Sequence, residues 1–84
     1  SLNKAGLNKI LEKVGEEAIE LIIAAKEGDQ PEKKKEVVKE TADLWFHCLV
    51  LLDQFDLSAS DVLDELEARA GKSGLQEKSE RGPK

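Results

Sequence analysis

Leu7, Ile10, Leu11, Val14, Ala18, Leu21, Ile22 and Ala25 recur three and four residues apart. That is the period of one helix face, and it predicts an amphipathic helix over roughly 4–27. Gly28-Asp29 supplies the stop. Pro31 suits the first turn of a second helix, over about 31–55. The segment Glu32-Lys33-Lys34-Lys35-Glu36 reads as a solvated start. From Val37 the pattern changes: Val38, Ala42, Trp45, Leu49 and Leu52 form one stripe, and Val37, Leu44 and Leu51 another. A helix apolar on nearly all sides must be covered on several of them. Three helices in one small chain do not readily do that, so the pattern predicts a homodimer with a four-helix-type core. Leu57-Ser58-Ala59-Ser60-Asp61 begins a third helix, over 59–70, with Ser58 as N-cap and Asp61 completing a capping-box-like pair. Val62, Leu63 and Leu66 form its apolar edge, and Gly71 closes it. Residues 71–84 have little to bury and read as a flexible basic tail of the same domain. No repeat and no strand signal breaks this all-α reading.

Composition narrows the function. At 84 residues the chain is one small domain with a marginal core, which metal or oligomerisation would support. Its single cysteine, Cys48, sits in an apolar run and forms no intrachain disulfide, which suits a reducing compartment. The net charge of −5 argues against a general nucleic-acid binder. Residues 1–70 carry 9 basic and 16 acidic side chains, whereas residues 71–84 carry 4 basic and 2 acidic. The body therefore attracts cations, and the tail is suited to phosphates. No apolar run is long enough for a membrane span and no signal-peptide pattern is present, so a cytoplasmic protein is expected. The chain contains no methionine, so Ser1 is no initiator; a processed chain, or a piece of a longer one, is expected.

Two acidic groups carry the candidate chemistry. Glu16, Glu17 and Glu20 are answered by Glu40 and Asp43. Residues three apart share a helix face, so Glu17 and Glu20 project together, as do Glu40 and Asp43. Antiparallel packing would bring four carboxylates to one point among apolar neighbours, where they repel unless a cation neutralises them. Mg²⁺ suits such oxygen ligands and bridges protein to phosphates, with Mn²⁺ as a substitute. The competing reading is a set of surface acids paired with Lys9, Lys13 and Lys39. Glu16 either orients an attacking water or is a solvated acid. Lys9 and Lys13 reach a phosphate or form salt bridges to Glu12, Glu16 or Glu17. His47 shares the face of Glu40 and Asp43, which suits a phosphate contact or a satisfied core histidine. Trp45 reads as core rather than a base-stacking platform. Gly15 leaves room for a ligand or for close helix packing. No nucleophile–base triad or glycine-rich phosphate loop is present.

The order Lys13-Val-Gly-Glu-Glu-Ala-x-Glu20, Ala24-Ala-Lys26 and Glu40-x-Ala-Asp-Leu-x-x-His-x-Leu-Val-Leu51 resembles the phosphoribosyl-ATP pyrophosphohydrolases of histidine biosynthesis, which are all-α, MazG-like proteins. Their EExxE and ExxD signatures are met by Glu16, Glu17 and Glu20, then Glu40 and Asp43. The tail Gly71-Lys-Ser-Gly74, Glu77-Lys78 and Arg81 adds to the likeness. The resemblance implies Mg²⁺-dependent hydrolysis of phosphoribosyl-ATP to phosphoribosyl-AMP and pyrophosphate in a homodimer. It assigns Glu17, Glu20, Glu40 and Asp43 to the metal, and Glu16 with Glu17 to catalysis. Lys9, Lys13, His47, Arg69, Lys72, Lys78 and Arg81 are the expected substrate contacts, and the tail is expected to order over substrate as a lid. Phe46 replaces the tyrosine usual before the histidine, and an N-terminal segment usual in the family is lacking. A house-cleaning nucleoside triphosphate pyrophosphohydrolase and a non-catalytic helical dimerisation module are the alternatives.

Overall fold

The computed structural model describes the backbone of residues 4–81 and the side chains of residues 4–71. Helix α1 spans Lys4–Lys26, a 3-10 turn Pro31–Lys33, helix α2 Lys34–Asp53 and helix α3 Ala59–Arg81. No strand occurs among the described residues.

Helices α1 and α2 form a hairpin. Leu7, Ile10, Val14, Ala18, Leu21 and Ala24 are half-buried at helical spacing along α1. Val37, Thr41, Leu44, Cys48 and Leu51 do the same along α2. The reversal is tight. Gly28 donates to the Ala25 carbonyl at 3.1 Å, and a Cβ placed on it would lie 3.0 Å from Cγ2 of Val37. Gln30 before the proline is extended, at φ −82° and ψ 125°, as a residue preceding proline prefers. The second helix thus opens as a 3-10 turn, and its α-helical part begins only at Lys34.

The second turn is also fully specified. Asp56 takes φ 58°, and Leu57 N–H reaches back to the Leu52 carbonyl at 3.0 Å. This is a left-handed helix closure with an aspartate where glycine is usual. It ends α2 at Asp53, two residues before the sequence pattern placed the end. Asp61 then accepts the Ser58 N–H at 2.9 Å, the half of the capping box expected of it. The Ser58 hydroxyl, however, turns to Asp61 Oδ2 at 3.3 Å and Ser60 Oγ at 2.8 Å.

Helix α3 runs through Gly71 to Arg81, where the sequence pattern placed a stop at 70 and an irregular tail. One glycine in a helix interior costs only about 1 kcal/mol. A Cβ at Gly71 would meet nothing within 4 Å, and the lysine, leucine, glutamine, glutamate and arginine residues beyond it favour helix.

No described residue reaches full burial. The hairpin has two unlike sides. On one, α1 presents Glu16, Glu20 and Glu27, and α2 presents Glu36, Glu40, Asp43 and His47. Away from them stand Leu11, Ile19 and Ile22 of α1 with Val38, Trp45 and Leu49 of α2, all 47–69% exposed, whereas Ile23, 61% exposed, lines the acidic cleft. A compact monomer of 9.3 kDa would expose about 5,000 Å². This chain exposes 7019 Å². No helix of the described residues is long and apolar enough to cross a membrane.

Candidate metal centre

Three of the predicted ligands converge. Glu17, Glu20 and Glu40 each contribute one carboxylate oxygen, and these oxygens all lie within 4.8 Å of one another. Glu17 and Glu20 come from successive turns of α1, and Glu40 from the facing stretch of α2. The hairpin register set by the Gly28–Pro31 reversal brings them level.

The electrostatics of the cluster call for a cation. Oε2 of Glu17 and Oε2 of Glu40 are both buried with no hydrogen-bond partner. Loss of hydration is the largest influence on Glu40 and holds its carboxyl above the usual range. Repulsion from Glu20, and a hydrogen bond with it, push the same way, as does Asp43. Lys39 opposes them but weakly, since its Nζ stands 3.8 Å from Glu40 Oε1 with its own side chain 66% exposed. Orphaned carboxylate oxygens at this spacing fit a hard divalent ion, which takes oxygen ligands and suffers little from leaving several waters in place.

The remaining predicted residues divide. Asp43 is half-buried one turn beyond Glu40, yet its carboxylate stands outside the group of three. Its carbonyl accepts the Nδ1–H of His47 at 2.9 Å, which leaves Nε2 as the acceptor of the neutral ring. The Phe46 ring meets His47 edge-on at 5.3 Å. Glu16 is exposed and paired with Lys13 at 3.5 Å. Lys9 makes no ion pair among the described residues. Arg69 pairs with Glu65 on its own helix at 2.8 Å and is not brought to the cluster. The side chains of Lys72, Lys78 and Arg81 lie outside the described residues. A Cβ at Gly15 would meet nothing within 4 Å, so the single chain packs no helix against it.

The structure adds residues to which the sequence pattern gave no role, three of them from the segment read as a solvated start. An open cleft of about 490 Å³ runs from Glu20 and Glu40 towards the first turn, lined also by Ile23, Ala24, Glu27, Glu32, Lys33 and Glu36. The signal was available: Glu36 lies four residues before Glu40, and Glu27 seven after Glu20, so each continues its ligand's face.

Fold and site together define an all-α protein with a carboxylate cradle suited to a divalent cation between two packed helices. The chain belongs to the phosphoribosyl-ATP pyrophosphohydrolase family, whose sequence profile matches residues 1–70. It is 51% identical over 76 residues to a phosphoribosyl-ATP pyrophosphatase of Albidiferax ferrireducens, covering 90% of this chain and 58% of that protein. It is 53% identical over 74 residues to the phosphoribosyl-ATP pyrophosphatase of Burkholderia cenocepacia, covering 88% of this chain and 61% of that one. The chain therefore spans about three-fifths of the length of the curated relatives it matches.

Proposed function

We propose that the chain hydrolyses phosphoribosyl-ATP to phosphoribosyl-AMP and pyrophosphate in the cytoplasm, using Mg²⁺ and working as a homodimer. The observation that carries this reading is the convergence of Glu17, Glu20 and Glu40 with two buried, unpartnered oxygens, in a chain of this family. Glu17, Glu20 and Glu40 hold the ion, and Asp43 joins them when its carboxylate turns into the cluster. Bound there, a divalent ion supplies charge neutralisation for phosphate oxygens and a more acidic water. Glu16 leaves Lys13 to accept the proton of the attacking water. The hydroxyl adds to one phosphorus of the α–β anhydride, and the bridging oxygen leaves with the other. Lys9, Lys13 and His47 Nε2–H, once that ring is protonated, neutralise the oxygens that remain.

The homodimer is supported by area. The surface in excess of a compact monomer is roughly 2,000 Å² per chain, the size class of an obligate interface. The exposed apolar residues that a partner would cover include Leu11, Ile22, Val38, Trp45 and Leu49 of the hairpin and Val62, Leu63 and Leu66 of α3.

The test is pyrophosphate release from phosphoribosyl-ATP with and without Mg²⁺. The wild-type chain should turn over only with the ion, and Glu17→Gln should lose at least about a hundredfold in kcat with its helical circular dichroism intact. Full activity of Glu17→Gln, or equal turnover of ordinary nucleoside triphosphates, would overturn the reading.

A further inference from the structure

The cleft beside the carboxylates is larger than an ion and its waters need. At about 490 Å³ it has the size of a small-molecule site. Glu20 and Glu40 belong both to it and to the group of three oxygens, so the cleft continues directly from the metal cradle. At this inner end the Glu40 side chain is only 12% exposed, and its Oε2 has no partner. On one wall Glu20, Ile23, Ala24 and Glu27 follow a single face of α1. On the other, Glu32 and Lys33 of the 3-10 turn lead to Glu36, one helical turn before Glu40.

The outer part of the cleft carries more negative charge than it balances. Glu27, Glu32 and Glu36 line it, and Lys33 is the one cation among the described residues that do so. The Lys33–Glu27 pair is long, 3.8 Å, with side chains 44% and 60% exposed, so it neutralises little. Three carboxylates against one ammonium leave two negative charges over. A concave surface of one sign focuses its field, and this one repels the phosphates of a nucleotide. Ile23, 61% exposed, places an apolar surface between Glu20 and Glu27. An apolar wall flanked by carboxylates fits a flat organic cation better than a neutral base.

The substrate of the proposed reaction contains such a group. A second ribose on a ring nitrogen of adenine makes the base an amidine that keeps its proton at neutral pH. The base of ATP is uncharged there.

We infer that the cleft is the base subsite: the cationic, ring-substituted adenine lies against Ile23, and Glu27 and Glu36 select it over the neutral base of an ordinary nucleotide. The inference rests on the reading under Proposed function, which is why one arm of its experiment needs no turnover.

In that arm the full chain, saturated with Mg²⁺, is titrated with 1-methyladenosine, whose base is a cation, and with adenosine, whose base is neutral. Neither carries a phosphate. Shifts of the Ile23 methyl resonances report binding. The cation should bind at least about tenfold more tightly, and the Glu27→Gln/Glu36→Gln double variant should lose that preference. Equal binding of the two nucleosides, binding of neither, or a preference that survives the double variant would overturn the subsite. In the second arm the double variant is assayed for turnover. Its KM for phosphoribosyl-ATP should rise at least about tenfold with kcat changed by less than about twofold, while ATP, relieved of repulsion, should inhibit more strongly. Weakening of both nucleotides alike would mean a merely structural role and overturn the selection. The rise in melting temperature given by Mg²⁺ should keep its wild-type size; its loss would place both acids at the ion instead. If the wild-type chain hydrolyses nothing, the functional reading fails, and the nucleoside titration still decides the subsite.

Discussion

Glu40 carries a stability cost that the proposed ion would relieve. Its Oε2 is buried without a partner, and desolvation with Glu20 close by raises its pKa above the ordinary 4.5. A carboxyl raised on folding binds its proton more tightly in the native state than in the unfolded one. The ion-free protein is therefore relieved of this cost below the ordinary value and feels all of it above the raised one, so stability falls as pH rises between the two. Glu40→Gln removes the charge and keeps the shape. The melting temperature of the ion-free variant should exceed that of the wild type at pH 7 and match it near pH 4. The rise in melting temperature that Mg²⁺ gives the wild type should vanish in the variant. A wild-type melting curve flat across this range would contradict the assignment. The residues of this site were legible because three-residue spacing alone places Glu17 with Glu20. That Asp43 stays outside the group was not legible, since a side-chain rotamer decides it and no spacing encodes a rotamer.

At the scale of elements, the hairpin was legible and the exact ends of its helices were not. Leu7 through Ala25 repeat with one period, and Gly28-Asp29-Gln30-Pro31 combines a stop with a start, so two helices and a reversal follow directly. The end of α2 depends on Asp56 adopting a conformation that aspartate reaches at a cost, and the pattern of apolar residues is blind to that. Asp56→Gly should therefore stabilise the chain by about 1 kcal/mol, seen as a higher midpoint in urea; a lower midpoint would mean the aspartate side chain holds the turn. Gly28 behaves in the opposite sense. A methyl group there meets Val37 at 3.0 Å and the Ala25 carbonyl at 3.3 Å, with backbone on one side that does not yield. Gly28→Ala should destabilise by about 1–3 kcal/mol and, by shifting α2 along α1, weaken Mg²⁺ binding as well. Gly71 misled the reading of α3, because a glycine followed by polar residues marks a helix end only when tertiary contacts or a following breaker enforce it.

For the whole molecule, the apolar residues of α2 already implied more surface to cover than one chain supplies. The structure locates that surface on the side of the hairpin away from the acids. Ile19, Ile22, Val38 and Trp45, each 58–69% exposed, have no cover among the described residues. No described residue is buried, and the hydrophobic term that offsets chain entropy is correspondingly small; under the proposed homodimer, folding and association are one event. Unfolding should then depend on protein concentration. A tenfold dilution costs a two-state dimer about 1.4 kcal/mol, which for a molecule of this size lowers the melting temperature by roughly 3–5 °C. Melting followed by circular dichroism across three decades of concentration checks this directly. A midpoint that does not move would mean that the chain covers its apolar side by itself. If the proposed dimer buries the side of Val38 and Trp45, Mg²⁺ should raise the midpoint by a similar amount at every concentration.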